Sequence, residues 1–167
     1  NILVMGGSMG SEVLNKIIID ALPKLLQDYN VIHIAGKGYN SNIKFENYFQ
    51  LEFAEDIENY FAASDLIISR AGANSLSEIT ANGIRNIVVP LPKGGSRGDQ
   101  EENARSYQSR GLVDVLHQVD LTPQSLINAI EQAFLKPKPK AINNEKIVSL
   151  IVKRIIDIDK AGKLSRK

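Results

Sequence analysis

Three short stretches of this chain combine residue types and spacings suited to holding a charged, hydroxyl-rich ligand. The first, Gly6-Gly7-Ser8-Met9-Gly10-Ser11, stands between an apolar run and an amphipathic stretch. Glycines at such a strand-to-helix turn let backbone amides approach a ligand closely, and the positive end of the helix dipole favours an anion such as phosphate. The second, Ser69-Arg70-Ala71-Gly72-Ala73-Asn74-Ser75-Leu76-Ser77-Glu78, repeats that logic with small residues followed by a helix start. Two such ends converging on one crevice would form a pocket for a diphosphate. The third runs from Pro90 to Ala104. Its Lys93 and Arg97 can approach phosphates, while Asp99, Gln100 and Asn103 offer the mixed donors and acceptors that sugar hydroxyls require.

Each stretch also has a plain structural reading. A glycine loop can simply be a tight turn. Ser75-x-x-Glu78 has the spacing of a capping box, as does Asp99 with Glu102. The functional alternative for Glu78 is a carboxylate one turn into its helix, accepting hydrogen bonds from both vicinal hydroxyls of a ribose. The dinucleotide fingerprint is not met, because Met5 occupies the place of its first glycine, and a Walker loop is excluded because Ser11-Glu12 follows Gly10. Gly6-Gly7-Ser8-Met9-Gly10 does match the Gly-x-Ser-x-Gly nucleophile elbow, with His117 downstream as a possible base, which would make a serine hydrolase acting through Ser8. Against it, the loop follows the first strand, so no earlier strand or loop furnishes the second oxyanion amide.

Six short β-branched runs must position these loops: Ile2 to Met5, Val31 to Ala35, Phe49 to Phe53, Leu66 to Ser69, Asn86 to Val89 and Val113 to Leu116. Stretches of helical period lie between them, at Glu12 to Gln27, Ile57 to Ala63, Ser75 to Asn82, Gln100 to Arg110 and Pro123 to Phe134. Strand and helix alternating in this way imply an α/β fold, a Rossmann-like parallel sheet of about six strands with helices on both faces. Thr122-Pro123 supplies an N-cap followed by proline at the first helical position. The Lys136-Pro137-Lys138-Pro139-Lys140 segment reads as a stiff connector, and a final apolar-striped helix is expected from Asn144 to Asp159. Residues 1–135 are thus the ligand domain, 136–160 its connector and last helix, and 161–167 a polar tail.

At 167 residues with 43% apolar content, the chain is sized for one compact domain. Its formal charge of +1 provides no field to gather nucleic acid, so any anion must be bound locally. Cysteine is absent, which removes disulfides, thiolate metal sites and a cysteine nucleophile. No apolar run approaches the roughly 20 residues of a membrane span. From Lys153 onward six Lys or Arg face two Asp, a composition that reads as a solvated tail before a membrane contact. The chain opens at Asn1 on an apolar strand without an initiator Met, which reads as a domain excised from a longer protein.

Taken together, the three segments in this order resemble the C-terminal domain of the MurG family, the UDP-N-acetylglucosamine transferases that make lipid II for peptidoglycan. The likeness spans about Ile2 to Phe134 and rests on Gly6 to Gly10, Gly36-Lys37-Gly38, Phe53 to Ile57, Ser64 to Ala73, Ser77-Glu78, and Asp99-Gln100 with Asn103-Ala104. Met9 departs from the family, which often has Gln there, and this puts a side-chain contact at that position in doubt. The resemblance implies one half of a two-domain GT-B glycosyltransferase, with the acceptor cleft and catalytic base on a separate N-terminal domain. No catalytic residue is then expected in this chain, which should bind donor without turnover. It further implies that Ser8 and the amides near Gly72 and Ala73 lie against the diphosphate, with Gly10 and Arg70 also among the substrate-binding residues. The backbone of Ala54 would read uracil, with Phe53 and Ile57 near the base. Glu78 would take the ribose hydroxyls, and Asp99, Gln100 and Asn103 would meet the N-acetylglucosamine. No cofactor or metal is implied. The acceptor would be lipid I, and the whole protein would sit on the cytoplasmic face of the bacterial cell membrane. The alternative is the donor-binding, non-catalytic subunit of a split glycosyltransferase.

Overall fold

The structure, a computed structural model, describes residues 1–7, 9–92, 94, 99–141, 152–154 and 156. Ser8, Lys93 and Arg97 lie outside the described residues, as do most of the expected last helix and all of the tail; residues 152–154 and 156 are helical.

The strands are β1 (Ile2–Met5), β2 (Val31–Ile34), β3 (Tyr48–Leu51), β4 (Leu66–Ser69), β5 (Arg85–Val88) and β6 (Asp114–Val115). Between and after them come α1 (Glu12–Leu25), α2 (Ile57–Ala62), α3 (Ala73–Ala81), α4 (Asp99–Ser109) and α5 (Pro123–Leu135). All strand pairs are parallel, in the order β3-β2-β1-β4-β5-β6. This is the doubly wound order of Rossmann-like sheets.

The central strands have both faces covered, which is why they read as unbroken apolar runs. On one face Ile2, Val4, Ile68 and Ile87 pack under α1 and α5, meeting Leu14, Ile18, Leu22 and Ile130. On the other, Leu3 and Ile67 pack with Phe61 of α2 and Ile79 of α3, and Val88 with Leu76 and Ala104. Ile18 and Leu22 are fully buried, and truncating either to Ala costs about 2–5 kcal/mol.

Local chemistry sets the helix ends. Thr122 caps α5 through a reciprocal capping box with Ser125, with Pro123 in the first turn. At its other end, Arg85 donates from Nε to the Ala133 carbonyl at 3.1 Å and from Nη2 to that of Lys136 at 3.0 Å, and its guanidinium lies over Phe134. Phe134 in turn stacks on Tyr29 at 5.2 Å. The start of the connector is thereby tied to β5 and to the loop between α1 and β2.

Two capping expectations fail. Helix α3 begins at Ala73 with Gly72 as N-cap and no side-chain cap bond, so Ser75 and Glu78 lie inside the helix and form no capping box. Asp99 is itself the first residue of α4, so it stands in the first turn instead of ahead of it. The third strand also sits one to two residues earlier than the apolar run suggested, ending at Leu51 and leaving Phe53 in the following loop.

Candidate functional site

The strand order reverses between β1 and β4, and in open parallel sheets ligands bind outside the carboxyl ends of the strands at that switch. Both glycine segments leave from these two strands. After β1, Gly10 turns with φ +73° and packs on the turn after β2, where Gly36 has φ +101°. Helix α1 then starts with Ser11 as N-cap, its Oγ accepting from the Leu14 amide at 3.3 Å. After β4 the chain passes Arg70 and Ala71 to Gly72, where a Cβ would meet nothing within 4 Å. The first amides of α3 have no side-chain cap, and amides left open at a helix start are available to a ligand.

The two helix starts are physically joined. Arg70, only 6% exposed, donates from Nη2 to Ser11 Oγ at 2.5 Å and from Nη1 to the Val89 carbonyl at 3.0 Å. The convergence of two helix ends expected from the sequence is therefore present, with Arg70 committed to the join.

Beside this junction lies a cavity of about 310 Å³ lined by Met5, Gly7, Ile34, Phe53, Ala54, Glu55, Ile57, Ser75 and Glu78. Its size is at the lower end for small-molecule sites, roughly 300–1,000 Å³. Its walls are largely apolar, and Glu78 supplies a carboxylate with no capping duty. The neighbouring loop is acidic, with Glu52, Glu55 and Asp56 around a second hollow that shares Phe53 and Ala54. A phosphate is disfavoured beside these carboxylates and favoured at the helix starts.

The structure therefore brings Phe53, Ala54, Ile57 and Glu78 into one cavity. Arg70 reaches Ser11, next to Gly10, and the chain runs on from it through Ala71 to Gly72 and Ala73. None of Gly10, Arg70, Gly72 and Ala73 lines the cavity. Gln100 and Asn103 stand apart from it. Gln100 Oε1 accepts from the Leu91 amide at 3.0 Å, and Asn103 Nδ2 donates to the Ala71 carbonyl at 3.1 Å. One end of each side chain anchors α4 to the loops after β4 and β5. Asp99 is exposed at the start of that helix.

The residues that position the glycine loop escaped the sequence reading. Asn15 of α1 is buried and donates from Nδ2 to the Ala35 carbonyl at 2.8 Å. Its Oδ1 lies 3.0 Å from His33 Nε2, and His33 Nδ1 lies 2.9 Å from the Tyr48 hydroxyl. Because Asn15 Oδ1 can only accept, Nε2 carries the imidazole proton, and Nδ1 accepts from Tyr48. Burial lowers the His33 pKa to about 4 and raises that of Tyr48 to about 12, which keeps both groups neutral and this bonding order intact. No motif signals these residues, because a buried Asn and His on core faces look like interruptions of the apolar pattern.

The serine hydrolase reading does not survive the topology. His117 follows β6, three strands away from β1, or about 14 Å at roughly 4.8 Å per strand. Its Nδ1 lies 3.4 Å from Glu101 Oε2, and the side chain is half exposed.

A doubly wound sheet with open helix starts at its switch point is the architecture of the Rossmann-like domains of GT-B glycosyltransferases. The chain belongs to glycosyltransferase family 28: residues 1–157 match the model of the Glycosyltransferase family 28 C-terminal domain. It is 40% identical over 165 residues to the UDP-N-acetylglucosamine--N-acetylmuramyl-(pentapeptide) pyrophosphoryl-undecaprenol N-acetylglucosamine transferase of Clostridium novyi, covering 91% of this chain and 46% of that protein. To the protein of the same name from Oceanobacillus iheyensis it is 44% identical over 127 residues, covering 75% of this chain and 36% of the other. The crystal structure of Acinetobacter baumannii MurG superposes with a TM-score of 0.69 at 28% identity, over 92% of this chain and 49% of that one. The chain thus spans about half the length, or less, of the relatives it matches. A solution structure of ALG13 shares the fold at a TM-score of 0.58 and 17% identity, over 85% of this chain and 90% of that one.

Proposed function

We propose that this chain is the donor half of the transferase that moves N-acetylglucosamine from its UDP carrier onto lipid I, yielding lipid II. The observation that carries this reading is Glu78. It lies at an apolar cavity beside two linked helix starts and, contrary to the capping expectation, has no structural task at the helix start. In the proposed pose the uracil lies against the Ala54 backbone between Phe53 and Ile57, and the ribose hydroxyls donate to Glu78. The diphosphate meets the glycine loop with Ser8 and Gly10, and the open amides at Gly72 and Ala73. The sugar extends toward α4, where Asp99, Gln100 and Asn103 stand.

Such a site can stabilise the leaving UDP, since amides and helix dipoles offset charge that develops on the diphosphate as the glycosidic bond breaks. Deprotonating the acceptor hydroxyl requires a base, which in this reading belongs to the other half of the protein together with the lipid I site. The whole protein would then work on the cytoplasmic face of the cell membrane. Among the described residues no helix is long and apolar enough to cross a membrane. The split-subunit alternative is not favoured, because the relatives at 40–44% identity carry the name of the transferase itself.

Calorimetric titration tests the reading. Saturable binding of UDP and UDP-N-acetylglucosamine is expected, with much weaker binding of GDP-sugars and ADP. Equal affinity for ADP and UDP would refute uracil recognition at Ala54.

A further inference from the structure

Ser11 closes the glycine stretch, and its hydrogen-bond inventory leaves one proton unassigned. A serine hydroxyl has two acceptor lone pairs and one proton. Ser11 Oγ accepts from the Leu14 amide at 3.3 Å and from Arg70 Nη2 at 2.5 Å, which uses both lone pairs. Among the described residues no acceptor takes its proton, and Ser11 is partly exposed at the start of α1.

Arg70 is the second half of the observation. It is 94% buried (6% exposed), and its Nε has no hydrogen-bond partner. The ion pairs found among the described residues do not include it. A buried cation without a counter-ion is costly. This one stands beside the starts of α1 and α3, whose dipoles also present positive ends. The arrangement is unfavourable until an anion arrives, and it is held in place by the bond to the Val89 carbonyl.

We propose that the Ser11 hydroxyl donates a hydrogen bond to the diphosphate of the bound nucleotide, and that Arg70 is the positioning residue that aims it and supplies the compensating charge from behind. This rests on the nucleotide-diphosphate reading of the site and deepens it. Arg70 acts through Ser11, since its own Nε is sealed from solvent.

The test compares UDP with uridine, which lacks the phosphates, on the unaltered protein, Ser11→Ala, Arg70→Lys and the double variant. Amide chemical shifts can follow both weak and tight binding, and thermal unfolding checks each fold. Ser11→Ala is expected to weaken UDP about tenfold and leave uridine unchanged. Arg70→Lys keeps a charge but loses the fork, so it should weaken UDP by a similar factor. The double variant should be little worse than either alone, because the two residues act in series. Ser11→Ala that binds UDP normally, or that loses UDP and uridine equally, overturns the proposal; this arm decides even if Arg70→Lys does not fold. Unaltered protein that binds UDP no better than uridine refutes the diphosphate site itself.

Discussion

Gly10 and Gly36 meet backbone to backbone above the carboxyl ends of β1 and β2: a Cβ on Gly10 would lie 2.2 Å from the Ala35 carbonyl oxygen, and one on Gly36 would lie 2.5 Å from the Gly10 Cα. Both residues also have positive φ, so an alanine at either is strained as well as crowded. Gly36→Ala should cost about 1–3 kcal/mol of stability and, by pushing the loop outward, reduce UDP affinity. Denaturant melts paired with UDP titration measure both. Unchanged values for each would mean that the contact does not set the loop.

Glu78 gives a cleaner separation, because nothing in the fold at the helix start depends on it. Glu78→Gln is expected to keep its melting temperature and lose about 1.5 to 3 kcal/mol of UDP binding, the usual worth of a hydrogen bond to a charged group. 2′-Deoxy-UDP should show a similar deficit on the unaltered protein and little further loss on the variant. A full additional loss would place the ribose elsewhere.

His33 makes stability depend on pH. Its folded pKa of about 4 lies below the ordinary 6.5, so the unfolded chain binds this proton more readily. The stability contributed by neutral His33 is present above about pH 6.5 and is lost progressively as pH falls toward 4, by about 3 kcal/mol in all. His33→Gln should flatten that part of the curve of unfolding free energy between pH 7.5 and 4.5. A parallel curve for the variant would mean that other groups carry the dependence.

Gln100 and Asn103 should separate the sugar from the nucleotide. Asn103→Ala removes a bond to the Ala71 carbonyl, at about 1 kcal/mol of stability. It should weaken UDP-N-acetylglucosamine more than UDP. Gln100→Ala should follow the same order, and equal losses for both ligands would assign these side chains only to holding α4.

The architecture was legible because its signals are local and periodic. Ile2 to Met5 and Leu66 to Ser69 are buried on both sides, so their apolar runs have the same bounds as the strands. Glycine and proline punctuation marked the loops between. Capping was misread where a motif's spacing lay one turn inside the helix: Ser75-x-x-Glu78 fits a box, but small Gly72 and Ala73 let α3 start earlier. The residues proposed to surround the ribose and base rest on family likeness, because Phe53 and Ala54 have no motif of their own. Asn15, His33 and the Ser11–Arg70 join were hidden for a different reason. Their partners lie 15 to 59 positions away in sequence, and only the strand order reveals which distant loops become neighbours.

The most direct measurement is a crystal structure with UDP bound. Uracil is expected against Ala54, the ribose hydroxyls on Glu78, and the diphosphate between the glycine loop and Gly72. A separate cavity of about 490 Å³ lies at the amino ends of β5 and β6, where Arg85 and Lys138 offer positive charge and Lys136 is paired with Asp114. UDP seated there, with the cavity beside Glu78 empty, would contradict the account.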